Sequence, residues 1–142
     1  MTKVDFYVLP ANGMSRVQLA CKLTEKAWHK QHNIYIHTDS AQAAKHIDDL
    51  LWTFSQDSFL PHNLTTDVAT ASAPIRIGHE DAPDMECDVL INLSHDVPAF
   101  FSRFMRVAEL VDQNDSTRQQ ARDRFRFYRE RGYPLESHEL SG

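Results

Sequence analysis

Glycine is scarce in this chain: four in 142 residues, at positions 13, 78, 132 and 142. A P-loop or a GxGxxG turn needs glycines a few positions apart, so that the backbone can close on a phosphate. Four scattered ones build neither. Ala11-Asn12-Gly13 follows the first apolar run, where a nucleotide-binding α/β protein carries such a loop, but it lacks the spacing. Cysteine is limited to Cys21 and Cys87, far apart and in no CxxC pair. That implies neither a disulfide framework nor a zinc site and fits a reducing compartment. No apolar stretch approaches the length of a membrane span, and Met1-Thr2-Lys3 passes into Val4-Asp5-Phe6 without a signal-peptide pattern, so a cytoplasmic location is expected. Positive charge is in the minority, 15 Lys and Arg against 20 Asp and Glu, for a net charge of −5. Affinity for a long nucleic acid comes from many phosphate contacts, and this balance argues against it.

What is present reads as one α/β domain spanning residues 1–142, without repeats or a linker. Val4-Asp5-Phe6-Tyr7-Val8-Leu9, Ile34–His37 and Val89–Leu93 are short apolar runs stopped by turn residues, the pattern of buried strands. Between the first two, Met14, Val17, Cys21, Thr24 and Trp28 recur at helical spacing. Asp39 or Ser40 can cap a following helix whose apolar face carries Ala43, Ile47, Leu50, Leu51 and Phe54. Residues 65–73 read as a surface loop, Ile75-Arg76-Ile77 as an edge or half-exposed strand, and 79–88 as an acidic loop. Asp96 and Pro98 are good helix starters, and Phe100, Phe101, Phe104, Val107, Ala108 and Val111 predict the buried face of a helix. The alternation of strands and helices predicts a mostly parallel central sheet flanked by helices on both faces. This is a three-layer αβα arrangement, Rossmann-like without a nucleotide-binding loop.

Catalytic machinery is hard to assemble from these residues. His29 and His32 lack a third and fourth metal ligand nearby. The acidic loop has neither the alternating ligands nor the central glycine of a calcium loop. Cys21 falls on a buried helix face, and His62 is better placed to bond its own loop than to act on a substrate. No nucleophile–base set, metal site or cofactor is expected.

Two features remain. The first is the last long helix, Thr117–Arg131. Between Asp115 and Arg131 stand six of the ten arginines against three acids, so this segment is +3 and the rest of the chain −8. At 100° per residue, Arg118, Arg122, Arg126 and Arg129 fall in a sector about 80° wide. Ala121, Phe125 and Tyr128 form an apolar stripe beside it. A cationic row bordering aromatics suits a ligand both anionic and apolar; the alternative is a core stripe beside a solvated face. The second is Trp52, on the polar side of its helix about 180° from Ala43, with Phe59 close in sequence. Arginine and aromatic side chains are the types most enriched at protein–protein hot spots.

Phe6-Tyr7-Val8-Leu9, Leu51-Trp52 with Asp57-Ser58-Phe59-Leu60-Pro61-His62-Asn63-Leu64, Asp88–Leu93, and Ala121-Arg122 through Tyr128-Arg129 to Gly132-Tyr133 together resemble the chi subunit of bacterial DNA polymerase III. S-F-x-P-H-N is the most specific part. The resemblance implies a non-catalytic accessory subunit of the clamp-loader assembly. It implies a one-to-one pairing with the psi subunit, and binding of the acidic C-terminal tail of single-stranded DNA-binding protein (SSB), which ends in an aromatic residue with a free carboxylate. Arg118, Arg122 and Arg126 match basic positions of the family's tail site, Phe125 an aromatic there, and Val111 an apolar wall. Trp52 and Phe59 match aromatics of the psi-facing surface, with Leu60 beside them. Arg118 and Arg126 stand where lysine can occur, Phe125 lacks a tyrosine hydroxyl, and the end beyond Leu135 matches poorly. In the other functional reading, the arginines would hold phosphates and the aromatics would stack bases of single-stranded nucleic acid directly.

Overall fold

The computed structural model of the chain describes residues 1–11, 13–54, 60–66, 73–80 and 87–140. Its elements are β1 (Lys3–Val8), α1 (Arg16–His29), β2 (Ile34–His37), α2 (Ala41–Thr53), β3 (His62–Leu64), β4 (Ile75–Gly78), β5 (Val89–Asn92), a 3-10 turn at Phe101–Arg103, β6 (Arg106–Val111), α3 (Asp115–Glu130) and β7 (Leu135–Glu139). The strands form one sheet in the order β3-β4-β2-β5-β6-β1-β7, and every neighbouring pair is parallel. This is the α/β architecture that the alternation of elements predicts.

Side chains alternate across each strand, so the sheet feeds two cores. Ile34 and Ile36, Ile91, and Ala108 and Leu110 join Leu19, Cys21, Ile47 and Leu51 beneath α1 and α2. Tyr35, Leu90, and Val107 and Val111 join Ala121 and Tyr128 of α3 on the opposite face. Because both faces are covered, the central strands read as continuous apolar runs. Helix starts are set locally. Ser15 accepts from the Gln18 backbone N–H at 3.1 Å, while the Gln18 side chain accepts from the Ser15 N–H at 3.0 Å, a reciprocal capping box. Ser40 accepts from the Ala43 N–H at 3.1 Å.

Several expectations are corrected. The apolar residues from Phe100 to Val111 do not make a helix: Phe101–Arg103 is one 3-10 turn, and Arg106–Val111 is strand β6. Five consecutive buried residues, Val107 to Val111, leave no solvent face for a helix but suit a strand covered on both sides. Ile75-Arg76-Ile77 is no edge strand. It lies between β2 and β3 and is wholly buried, because His62–Leu64, three residues just after Pro61, adds a strand outside it. β7 was not anticipated either. On α2 the fully buried positions are Ala44, Ile47 and Leu51, with Ala44 rather than Ala43 inward. The expected surface loop at 65–73, the acidic loop at 79–88, and Phe59 lie wholly or partly outside the described residues.

Candidate functional site

The chain leaves β1 for α1 on one face and leaves the adjacent β6 for α3 on the other. Between the carboxyl ends of such strands an open α/β sheet has its usual ligand crevice. Here a protein carboxylate occupies the spot. Asp112 accepts from the Asn114 backbone N–H at 3.1 Å and from the Thr117 hydroxyl, and lies 3.6 Å from Arg16 Nε. The Gln113 side chain donates to the Leu9 carbonyl at 2.7 Å across the same gap. Asn114 caps α3, accepting from the N–H groups of Ser116 and Thr117. The anion that a helix start attracts is therefore built in.

What turns α3 on its axis is a buried charge network. Glu109, in the middle of β6 and inaccessible to solvent, accepts from Arg124 Nε at 2.9 Å, the Tyr128 hydroxyl at 2.7 Å and Asn92 Nδ2 at 2.9 Å. Arg124 also donates to the His95 carbonyl at 2.8 Å. Burial pushes the Glu109 carboxyl above its ordinary value, with Arg124 and the hydrogen bonds from Asn92 and Tyr128 pulling it back. Burial, reinforced by Glu109, pushes the Tyr128 hydroxyl up, which keeps it a donor. Neither member of this pair was singled out from sequence. The signal was there: Arg124 sits between Ala121 and Tyr128 on the apolar stripe, and Glu109 is the one charged residue in the otherwise apolar run Val107–Val111.

With Arg124 turned inward, Arg122, Arg126 and Arg129 are exposed and Arg118 is half-buried. Arg118 donates to the Gln113 side chain at 2.9 Å and Arg122 to that of Gln119 at 3.4 Å. Arg126 lies 3.9 Å from Asp123, with both side chains more than half exposed. An ion pair so exposed is worth less than about 1 kcal/mol, so the row stays available to a stronger anion. Phe125 is half-buried, edge-on to Phe6 at 5.1 Å between ring centroids. Val111 is only 7% exposed and belongs to the core cluster against which Phe125 packs. It backs this surface more than it forms it.

Trp52 is 55% exposed, on the polar side of α2. Its ring lies 4.4 Å from that of His62. His62 is buried, with Nδ1 2.5 Å from the Leu60 carbonyl and Nε2 3.1 Å from the Asp48 carbonyl, which fixes β3 to α2. Leu60 is itself buried at 2% exposure, in the core under α2. It is a core residue rather than part of the exposed Trp52 surface. Phe59 lies outside the described residues.

Two potential reactive groups are accounted for by packing. Burial pushes the Cys21 thiol up to about 11, the behaviour of an inert core cysteine. Asp5, Glu136 and His138 come close enough to share a metal ion. However, Glu136 lies 2.8 Å from Lys3, and Asp5 takes hydrogen bonds from Arg106 at 2.8 Å and His138 at 3.0 Å. Two cations already neutralise these carboxylates, and the group is an ion-pair network tying β7 to β1.

Residues 1–136 match the family described as DNA polymerase III chi subunit, HolC. The chain belongs to the DNA polymerase III chi family. It is 47% identical to the DNA polymerase III subunit chi of Pseudomonas aeruginosa, over 99% of this chain and 98% of that one. It is 31% identical to that of Haemophilus influenzae, over 92% of each chain, and 30% identical to that of Escherichia coli, over 95% of this chain and 96% of that one. The likeness thus takes in both the α3 row and the Trp52 surface, and places the chain among replicative polymerase subunits. Among the described residues, no helix is long and apolar enough to cross a membrane.

Proposed function

We propose that this chi-family chain is a non-catalytic accessory subunit with two binding surfaces: one for the SSB tail, and one for the psi subunit that links it to the clamp loader. The observation that carries the first is the outward row Arg118, Arg122 and Arg126 beside the half-buried ring of Phe125, set in phase by the buried Glu109–Arg124 pair. The row attracts the acidic tail and pairs with its terminal carboxylate, and the accessible side of Phe125 packs on the terminal aromatic ring. Arginine's planar fork suits a carboxylate. Weak single tails still tether, because an SSB-coated strand presents several at once and raises the effective concentration. The second surface rests on Trp52, a large, more than half-exposed ring packed against buried His62.

The test is a titration of the chain with a labelled acidic peptide ending in a free-carboxylate phenylalanine, beside an amidated control. Binding is expected to weaken with salt, to be lost on amidation, and to fall roughly 5- to 30-fold in R126A, or about 1–2 kcal/mol. Equal binding of the free and amidated peptides, or no effect of R126A, would rule out the carboxylate clamp.

A further inference from the structure

A second basic surface lies on the opposite face of the sheet from α3. On that face α1 packs over β2 and β6, and α2 over β3 and β4. Between α1 and β1 is a cleft of about 250 Å³. Exposed Lys26 from α1, Lys30 just after its last turn, and Arg106 from the start of β6 line it together with Tyr7, Leu23 and Ile91. His32 also borders it, and Asp5 is the acid it contains. Asp5 is already spent on Arg106 and His138. Burial pulls its carboxyl upward, but the hydrogen bonds from His138 and Arg106 outweigh this and hold it below the ordinary range. Lys3 pairs with Glu136, and the ion pairs of the described residues leave Lys26 and Lys30 out. Three cations against one neutralised carboxylate make a net +2 patch on a chain whose total is −5.

The cleft also holds an aromatic side chain. Tyr7 lines it, with its ring stacked on His138 at 4.9 Å between centroids and 19° between planes. Aromatic faces take nucleobases of any sequence, and cations beside them track the phosphates. We infer that this cleft contacts single-stranded DNA directly, one nucleotide resting on Tyr7 with its phosphates on Lys26, Lys30 and Arg106. With so few phosphates held, the contact is weak and strongly salt-dependent. It is independent of the tail site on α3, and it suits a polymerase subunit working beside a single strand.

The experiment is fluorescence anisotropy of a labelled oligothymidylate with the purified full chain at low salt, without SSB, comparing the parent with K26E/K30E and with R122E/R126E. Both pairs of positions are exposed, so the fold tolerates the exchanges. Binding by the parent is expected, with at least about a tenfold loss in K26E/K30E and a salt slope shallower by roughly 1.4, or ~0.7 for each single-strand phosphate contact removed. R122E/R126E should bind within about twofold of the parent, since two exposed charges on the other face act only through screened distance. No binding by the parent, equal binding by K26E/K30E, or a loss confined to R122E/R126E would each overturn the assignment.

Discussion

Replacing Arg124 by methionine keeps most of the aliphatic length but removes the guanidinium facing Glu109. In the parent, Glu109 is fully buried and satisfied by three donors at 2.7–2.9 Å. Taking away one partner of a buried pair leaves an uncompensated charge and costs about 3–5 kcal/mol. At roughly 3 °C per kcal/mol for a chain of this size, Tm should fall on the order of 10–15 °C. The loss carries a pH signature. A carboxyl raised by folding contributes stability that is complete below its unfolded value, near the ordinary 4.5, and is lost as pH rises through the folded value. Removing Arg124, the largest influence holding the folded value down, raises that value further. The deficit of R124M against the parent should therefore grow as pH rises through the parent's folded value, which lies above 4.5, and be smallest below it. E109Q/R124M, with neither charge, should recover at least half of the loss, because an uncharged pair carries no stranded ion. Urea unfolding followed by far-ultraviolet circular dichroism across this pH range decides the matter. A deficit below about 1 kcal/mol, the size for an exposed pair, would refute the reasoning. So would a deficit independent of pH, or a double variant no better than the single.

Two further outcomes follow from other contacts. H138A removes a hydrogen bond that holds the Asp5 carboxyl below its ordinary value of 3.8. Stability from such a group is present above the unfolded value and lost as pH falls through the depressed folded one, so acid unfolding of H138A should begin at higher pH than in the parent. Superimposable acid curves would remove the network from the account. W52A deletes a ring that is more than half exposed but rests on His62. It should cost under about 1.5 kcal/mol of stability, abolish co-purification with psi, and leave titration of the acidic peptide unchanged; loss of both bindings would indicate unfolding instead.

Much of the fold could be read in advance wherever the cause is local. β1, β2 and β5 are apolar runs stopped by turn residues, Ser40 announces α2, and the helical phase that puts Ile47 and Leu51 inward necessarily sends Trp52 outward. The cationic row of α3 is legible for the same reason, since a helix converts spacing into direction. Periodicity failed in β6, where Val107 to Val111 suit a buried strand as well as a helix, and in β3, whose three residues are too few to show a period. β4 became an interior strand only because β3 joined its outer edge. In the candidate sites the division is sharper. The sequence by itself determined which residues were cationic, aromatic or apolar, and the face of its own helix each would take. Only the tertiary structure decided that Glu109 is the partner Arg124 meets, that Leu60 and Val111 are buried in the core, and that Lys26, Lys30 and Arg106 meet around Tyr7. Those pairings join elements distant in the chain. The long-range packing of strands and helices, which brings them within reach of one another, leaves no mark in local spacing.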